Sequence, residues 1–196
     1  LRSAFAAYHP PAFGAVPLSS AQSNLVDRDH RPGRWGIEGV AGSGKSLVLA
    51  RRATALAASP VPHKVLLVTY NITLANFCRA MVRDSPHQFA RQDVTVQHFH
   101  GLGAAYLRSV CVPPPVMPPA MDADSTGIDD EGEIVRQAHY DHTWPAYLKS
   151  TLEQAGHPED FRFDTILVDE GQDFSPAFLD VIESFGVPDA EITIAY

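Results

Sequence analysis

A loop with the pattern Gly-x4-Gly-Lys-Ser runs from Gly39 to Ser46 and has the residue types that bind a nucleotide's phosphates. Glycines let backbone N–H groups point at phosphate oxygens, and the helix predicted to follow presents its positive end to the same charge. Lys45 is expected to reach the β- and γ-phosphates of ATP, and the Ser46 hydroxyl to ligate Mg²⁺. An ordinary glycine-rich turn is the alternative, but the flanking strand and helix favour a phosphate site. The predicted nucleotide-binding residues of this loop are Gly39, Ala41, Gly42, Ser43, Gly44, Lys45 and Ser46.

Two carboxylates follow the apolar run Ile166–Val168, where a buried strand is predicted to end. Asp169 is expected to hold Mg²⁺, usually through water, and Glu170 to act as general base toward an attacking water. Taken alone, the pair is explained equally well by an acidic turn in solvent. Its occurrence in one chain with Lys45 favours the nucleotide site.

Composition sets limits on the class of protein. With 196 residues, of which 45% are hydrophobic and 19% charged, the chain is long and apolar enough to bury a core, which excludes a disordered tail or a fibrous repeat. No stretch approaches the ~18 consecutive apolar residues of a membrane helix. The only cysteines, Cys78 and Cys111, form no CxxC motif. They favour a reducing compartment over a disulfide framework or a zinc site, and we expect a cytoplasmic location.

The net charge of −8 belongs largely to one segment. Residues 112–135 contain six carboxylates and neither Lys nor Arg, and without them the chain has 15 basic and 17 acidic residues. Nucleic-acid binding on a local surface is therefore compatible with the charge, although the overall balance does not support it.

Apolar runs alternate with helical patterns along the chain, which predicts an α/β fold with a parallel sheet and helices on both faces. The run 65–70 has no alternating polar residues, so both faces of that strand are expected to be buried. The predicted strands are 35–40, 65–70, 94–96, 163–168 and 192–194. The predicted helices are 18–26, 46–58, 73–82, 102–110, 134–154 with an interruption at Pro145, and 176–185. Arg51 and Arg52 are expected to lie on a solvated face of the helix 46–58.

Five motifs in order resemble those of the UvrD/Rep-type superfamily 1 helicases. The loop at 41–46 and the acidic segment 169–173 are similar to motifs I and II, and 68–75 is similar to motif Ia. Residues 96–102 are similar to the Thr-Phe-His-Ser-Leu pattern of motif Ib, and Gln22 to the upstream Q motif. Together they span residues 18–173. Tyr70 and His98 depart from the residues that the family often has there.

The resemblance implies a RecA-like P-loop NTPase domain and a role for each matched residue. Gln22 would bind adenine, and Gln172 would sense the γ-phosphate as a third catalytic residue beside Lys45 and Glu170. Asp173 would help link the nucleotide site to the nucleic-acid surface. Thr69, Asn71, Phe99 and His100 would line a single-strand path, where polar groups contact phosphates and rings stack on bases. For Phe99 a core position is an equally good interpretation.

The resemblance also implies a domain organisation. Residues 1–17 are predicted to be an irregular lead-in, and residues 18–111 the first part of the RecA-like ATP-binding domain. Residues 112–160 form an insertion, which begins with a Pro-rich acidic linker at 112–133 and continues as a helical segment. Residues 161–196 are the second part, and the chain ends before the next helicase motif.

The function implied is ATP binding and hydrolysis, with Mg²⁺, as the N-terminal motor domain of an ATP-dependent DNA helicase that translocates on and unwinds nucleic acid. Single-stranded or partly duplex DNA, or RNA, would be its partner, together with a second RecA-like domain. That domain carries the arginines that stabilise charge in phosphoryl transfer, so we expect the fragment to hydrolyse ATP poorly by itself. The alternatives are a nucleotide-regulated protein- or RNA-binding module and an inactive remnant.

Overall fold

The computed structural model describes residues 13, 16–116 and 138–196, and its strands form one sheet in which every neighbouring pair is parallel. The strands are β1 (Gly33–Ile37), β2 (Val65–Thr69), β3 (Val94–His98), β4 (Phe163–Val168) and β5 (Gly186–Ala195). Their order across the sheet is β1-β5-β4-β2-β3. The predicted α/β class and parallel sheet are therefore confirmed, and β4 has the predicted bounds.

Six α-helices connect or flank the strands in the described residues. They are α1 (Ser20–Val26), α2 (Lys45–Ala57), α3 (Ile72–Arg83), α4 (Phe99–Ser109), α5 (Trp144–Ala155) and α6 (Pro176–Glu183). Polar side chains cap several of their N-termini: Ser19 accepts from the Gln22 N–H, and Asn71 from the Leu74 N–H. Pro176 occupies the first turn of α6, where its missing N–H costs no hydrogen bond.

Strand β2 is buried on both faces, as the sequence predicts, and its side chains divide between two cores. Leu66 and Val68 pack in a cluster with side chains of α4, α5 and α6. Val65 and Leu67 pack in a second cluster with side chains of α1, α2 and α3. The helices therefore cover both faces of the sheet, which explains why the strand has no polar alternation.

Two elements, α4 and β5, begin three or more residues earlier than predicted. Helix α4 begins at Phe99 because the His98 side chain caps it, with Nδ1 accepting from the Gly101 N–H at 3.4 Å. Strand β5 begins at Gly186 instead of residue 192. Its register against β4 shifts between the pairs Phe163–Gly186 and Thr165–Glu191, so extra residues are accommodated as a bulge.

The segment 112–160 is described only in part. Residues 112–116 form neither helix nor strand, and the remainder of the predicted acidic linker lies outside the described residues. From His139 to Thr143 the backbone forms a π-helical turn, which passes directly into α5. Pro145 lies in the first turn of α5, so it marks the beginning of an α-helix and not a break in one. Of the predicted lead-in at 1–17, residues 13, 16 and 17 are described.

Arg51 and Arg52 contradict the simplest interpretation of the sequence, which places them on a solvated face of α2. Both are buried, with 8% and 1% of their surface exposed. Arg51 donates to the Phe13 carbonyl at 2.7 Å, and Arg52 forms a two-pronged ion pair with Glu191 of β5. The prediction was wrong because these partners are distant in sequence.

None of the described helices has the length and apolar character needed to cross a membrane.

Candidate functional site

The predicted phosphate loop connects the carboxyl end of β1 to the first residue of α2. Gly42 and Gly44 have φ values of +78° and +82°, which L side chains rarely adopt, so glycine is required for this turn. Lys45 begins α2 and folds back over the loop, with Nζ donating to the Gly39 carbonyl at 2.8 Å. A Cβ at Gly39 would meet the Ser43 hydroxyl at 2.7 Å. The loop thus has the backbone conformation and the lysine that a phosphate cradle needs.

Gln22 joins α1 to this loop. Its Oε1 accepts from the Ser19 N–H at 2.7 Å, and its Nε2 donates to the Ser43 carbonyl at 2.8 Å. The first bond completes a capping box at the start of α1, and the second fixes the loop beside Gly44. The structure therefore brings Gln22 to the predicted site. Its contact with adenine stays a prediction.

Asp169 follows β4 and is fully buried. Its Oδ2 accepts from the Cys78 thiol at 3.9 Å, whereas its Oδ1 has no hydrogen-bond partner. Burial raises the pKa of Asp169, and the neighbouring Ser46 hydroxyl and Lys45 ammonium act in the opposite direction. An unsatisfied buried carboxylate oxygen beside a hydroxyl and an ammonium fits a Mg²⁺ ligand, since hard cations bind oxygen.

Glu170 lies next to Asp169 with φ +53°, a left-handed conformation that is strained for a residue with a side chain. Its Oε2 accepts from Gln172 Nε2 at 2.5 Å, so two of the predicted catalytic side chains are in contact. Gly171 follows, and a Cβ there would clash with Ile194 of β5 and lie 3.2 Å from the Ala195 carbonyl. The segment that carries Glu170 and Gln172 therefore packs closely on β5 at Gly171.

A cavity of about 320 Å³ lies beside these groups. Its lining includes Gly42 to Leu47 of the loop and α2, and Glu170. Phe13, Phe77 and Met81 form an apolar side, where the two phenylalanine rings meet edge to face with centroids 5.1 Å apart. The predicted loop and the predicted acidic residue therefore share one cavity.

The residues predicted to contact nucleic acid follow β2 and β3 at the same edge of the sheet. The Thr69 side chain is buried, and its hydroxyl donates to the Asn71 carbonyl at 3.0 Å. Asn71 is exposed, and its side chain caps α3. Both side chains have local structural roles, and the exposed Asn71 is the one positioned to meet a ligand.

Phe99 and His100 belong to the first turn of α4. Phe99 is 1% exposed and packs on Phe178 with ring centroids 4.4 Å apart, so the structure assigns this ring to the core and not to a stacking surface. His100 is half-buried among aromatic rings, including Tyr140 and Trp144. Burial, with His98 nearby, lowers the pKa of His100 to about 4, so the ring is neutral at pH 7 and brings no positive charge to a phosphate.

Cys78 contacts the site through Asp169, although the sequence analysis did not predict it as a site residue. It lies on the buried face of α3, and burial together with the adjacent Asp169 raises its pKa to about 12, which keeps it a neutral thiol. Helical spacing predicts its burial, but its contact with Asp169 depends on how α3 crosses the sheet. Within the described ranges, the candidate site included, no group of three or more His, Cys, Asp and Glu side chains is arranged to hold a metal ion.

Comparison of the chain with models of known protein families gives no match, and comparison with curated proteins gives none. Function is therefore inferred from the motifs and their arrangement at the carboxyl edge of the sheet.

Proposed function

We propose that this chain binds ATP with Mg²⁺ at the loop Gly39–Ser46 and hydrolyses it as the N-terminal RecA-like motor domain of an ATP-dependent, UvrD/Rep-type DNA helicase. The observation that carries the proposal is that the loop and Glu170 line one cavity at the carboxyl edge of a parallel sheet, while Asp169 is buried beside Ser46 and Lys45 of that loop. Ligands of open α/β sheets bind at this edge. The motif series supplies the assignment to a helicase.

The proposed chemistry divides among the residues of the cavity. Backbone N–H groups of the loop and the N-terminus of α2 bind the phosphates, and Lys45 leaves the Gly39 carbonyl to pair with them. Glu170 accepts the proton of the attacking water, and Gln172 holds the Glu170 carboxylate in place. Mg²⁺ held by Ser46 and Asp169 would neutralise charge that develops on the phosphoryl oxygens.

The first test is calorimetric titration of the chain with ATP and Mg²⁺. We expect Lys45→Ala to weaken binding at least about tenfold, since hydrogen bonds to charged groups contribute about 1.5–3 kcal/mol. Lys149→Ala is the matched control, because Lys149 is an exposed lysine on α5 that pairs only loosely with Asp180 at 3.7 Å. A folded wild-type chain that binds no ATP, or equal binding by the Lys45 variant, would overturn the proposed site.

The motor assignment needs a second measurement. In a protein that joins this chain to a second RecA-like domain, DNA should stimulate ATP hydrolysis, and Lys45→Ala should abolish the stimulated rate. ATP binding without any stimulation by DNA or RNA would retain the nucleotide site and reject the motor.

A further inference from the structure

A second cavity, of about 620 Å³, lies between α3, the connection after it and the edge strand β3. It is roughly twice the volume of the cavity beside the phosphate loop. Of β3 it involves Val94 and Val96, so it is a groove along the amino-terminal part of this edge strand and not at the carboxyl end of the sheet.

The groove combines an apolar floor with a cationic rim. Val82, Val94 and Val96 are nearly buried side chains that form its floor, and Phe89 is a half-buried ring beside them. The rim is formed by three arginines, Arg79, Arg83 and Arg91. The described lining of the groove includes no Asp or Glu. In a chain of net charge −8, this groove is a locally basic surface.

The carboxylates near the rim only partly offset its charge. Asp84 pairs with the Arg83 guanidinium at 3.2 Å, with Arg83 mostly exposed. Asp93 shares the short 3-10 turn 91–93 with Arg91. Exposed ion pairs of this kind are weak, so both guanidinium groups remain available to a phosphate, which they can bind through two parallel hydrogen bonds.

The hydrogen bonds of Arg79 favour a nucleic-acid ligand over an extended peptide. Its Nε donates to the Val96 carbonyl at 3.0 Å, and its guanidinium also donates to Gln97 Oε1 at 3.0 Å. An extended peptide that added a strand to β3 would need that carbonyl as a hydrogen-bond acceptor. Because Arg79 already occupies it, the groove is better suited to a ligand that binds through phosphates and ring faces.

We propose that this groove binds single-stranded nucleic acid, with Arg83 and Arg91 on phosphates and the Phe89 ring against a base. Strand β3 runs from the groove to His98 and the start of α4, where the sequence predicts nucleic-acid contacts. The groove would extend that path along the sheet edge. The choice of nucleic acid as ligand rests on the proposed motor function, whereas the groove and its charge do not.

The test is fluorescence anisotropy with a 5′-fluorescein-labelled dT20 oligonucleotide, without ATP, over a range of salt concentrations. We expect the double variant Arg83→Ala/Arg91→Ala to bind about tenfold more weakly, with a salt slope smaller by about 1.4, since each phosphate contact to a single strand contributes roughly 0.7. The matched control, Arg108→Ala/Arg162→Ala, removes the same charge from exposed arginines outside the groove and should stay within about twofold of wild type.

A second variant tests the base contact. Phe89→Leu retains an apolar side chain against the core but removes the ring face, and we expect about fivefold weaker binding or more, since base stacking contributes roughly 1–3 kcal/mol. Thermal unfolding of each variant checks that it is folded.

The outcomes separate this inference from the proposed nucleotide site. The oligonucleotide titration contains no ATP, so failure of ATP binding at the loop leaves the result for the groove unchanged. The inference is overturned if wild type does not bind the oligonucleotide, or if the groove and control variants weaken binding equally. It is also overturned if a fluorescein-labelled Asp/Glu peptide, and not the oligonucleotide, shows the dependence on Arg83 and Arg91, which would indicate an acidic protein partner.

Discussion

Asp169 is a buried carboxyl group with one oxygen near the Cys78 thiol and the other without a partner. Burial raises its pKa, so its ionised form costs the folded protein free energy. The ordinary value is 3.8, and because the folded-state pKa lies above it, the cost is full above the folded-state pKa and absent below about pH 3.8. The ionised Asp169 carboxylate therefore destabilises the folded protein but is suited to bind a cation.

Asp169→Asn is therefore expected to increase stability at pH 7 while abolishing the effect of Mg²⁺ on ATP binding. The amide cannot ionise, so the desolvation cost disappears, and the melting temperature should rise by about 2–4 °C for each kcal/mol regained. Thermal unfolding from pH 7 to pH 4 checks the sign, because the gain should fade as Asp169 in wild type becomes protonated. A destabilised variant at pH 7 would contradict this, because it would mean that Ser46 and Lys45 stabilise the ionised carboxylate by more than its burial costs.

At the residue scale, the sequence predicts the loop because its chemistry is local. Gly42, Gly44 and Lys45 lie close together in the sequence, and the positive φ values of the two glycines follow from residue type. His98 illustrates a residue whose role needed the structure, because its ring nitrogen caps α4 as the hydroxyl of a serine or threonine would. That cap begins the helix at Phe99 and turns this side chain into the core.

At the scale of elements, Gln22 makes the position of the loop depend on α1. A glutamate at this position can still close the capping box with the Ser19 N–H, but it presents a carboxylate oxygen to the Ser43 carbonyl where Nε2 donates. Gln22→Glu thus separates the helix cap from the attachment of the loop.

We expect Gln22→Glu to weaken ATP binding roughly tenfold, since an unfavourable buried polar contact costs about 1–3 kcal/mol. Ser19→Ala is the converse control: it loses the cap at a cost of about 0.5–2 kcal/mol in stability but retains the contact with Ser43. Calorimetry with ATP and urea unfolding of both variants provide the comparison. Equal ATP affinity in wild type and Gln22→Glu would show that the loop holds its conformation without α1.

The elements themselves were largely predictable, because hydrophobic periodicity is a local property. The strands 65–70 and 163–168 and the helix after the loop were placed within about a residue. Strand β5 was predicted too short, because Gly186 and Pro188 indicate a turn, whereas Gly186 pairs with Phe163 of β4 and begins the strand. The burial of Arg51 and Arg52 was missed for the same reason, since Glu191 lies 139 residues from Arg52.

At the scale of the whole molecule, the Arg52–Glu191 pair connects segments that the sequence separates. Arg52 also donates to the carbonyls of Leu25 and Arg28 at the end of α1, at 3.0 and 2.8 Å. Glu191 accepts from the Arg28 guanidinium, the Arg31 N–H and the Thr193 hydroxyl. Burial by itself would raise the pKa of Glu191, but the Arg31 N–H and the guanidinium groups of Arg52 and Arg28 lower it overall.

Removing one partner of this pair should cost far more than removing both. Arg52→Met leaves Glu191 charged and buried, so we expect the free energy of unfolding to fall by about 3–5 kcal/mol. Arg52→Met/Glu191→Leu should recover part of that loss, because no buried charge is left. Arg34→Ala is the control: its pair with Glu183 is half-exposed, and its loss should cost at most about 1 kcal/mol.

Urea unfolding at several pH values distinguishes the ionic contribution from lost packing. The ordinary pKa of Glu191 is 4.5 and its folded-state value is lower, so its stabilising contribution is full above pH 4.5 and is lost as pH falls through the lower value. The difference between wild type and Arg52→Met should therefore narrow in acid. Two results together would contradict this account: a double variant as unstable as Arg52→Met, and a stability difference between wild type and Arg52→Met that does not change with pH. They would mean that Arg52 stabilises the fold through the α1 carbonyls alone. In that case α1 and the phosphate loop would not depend on β5.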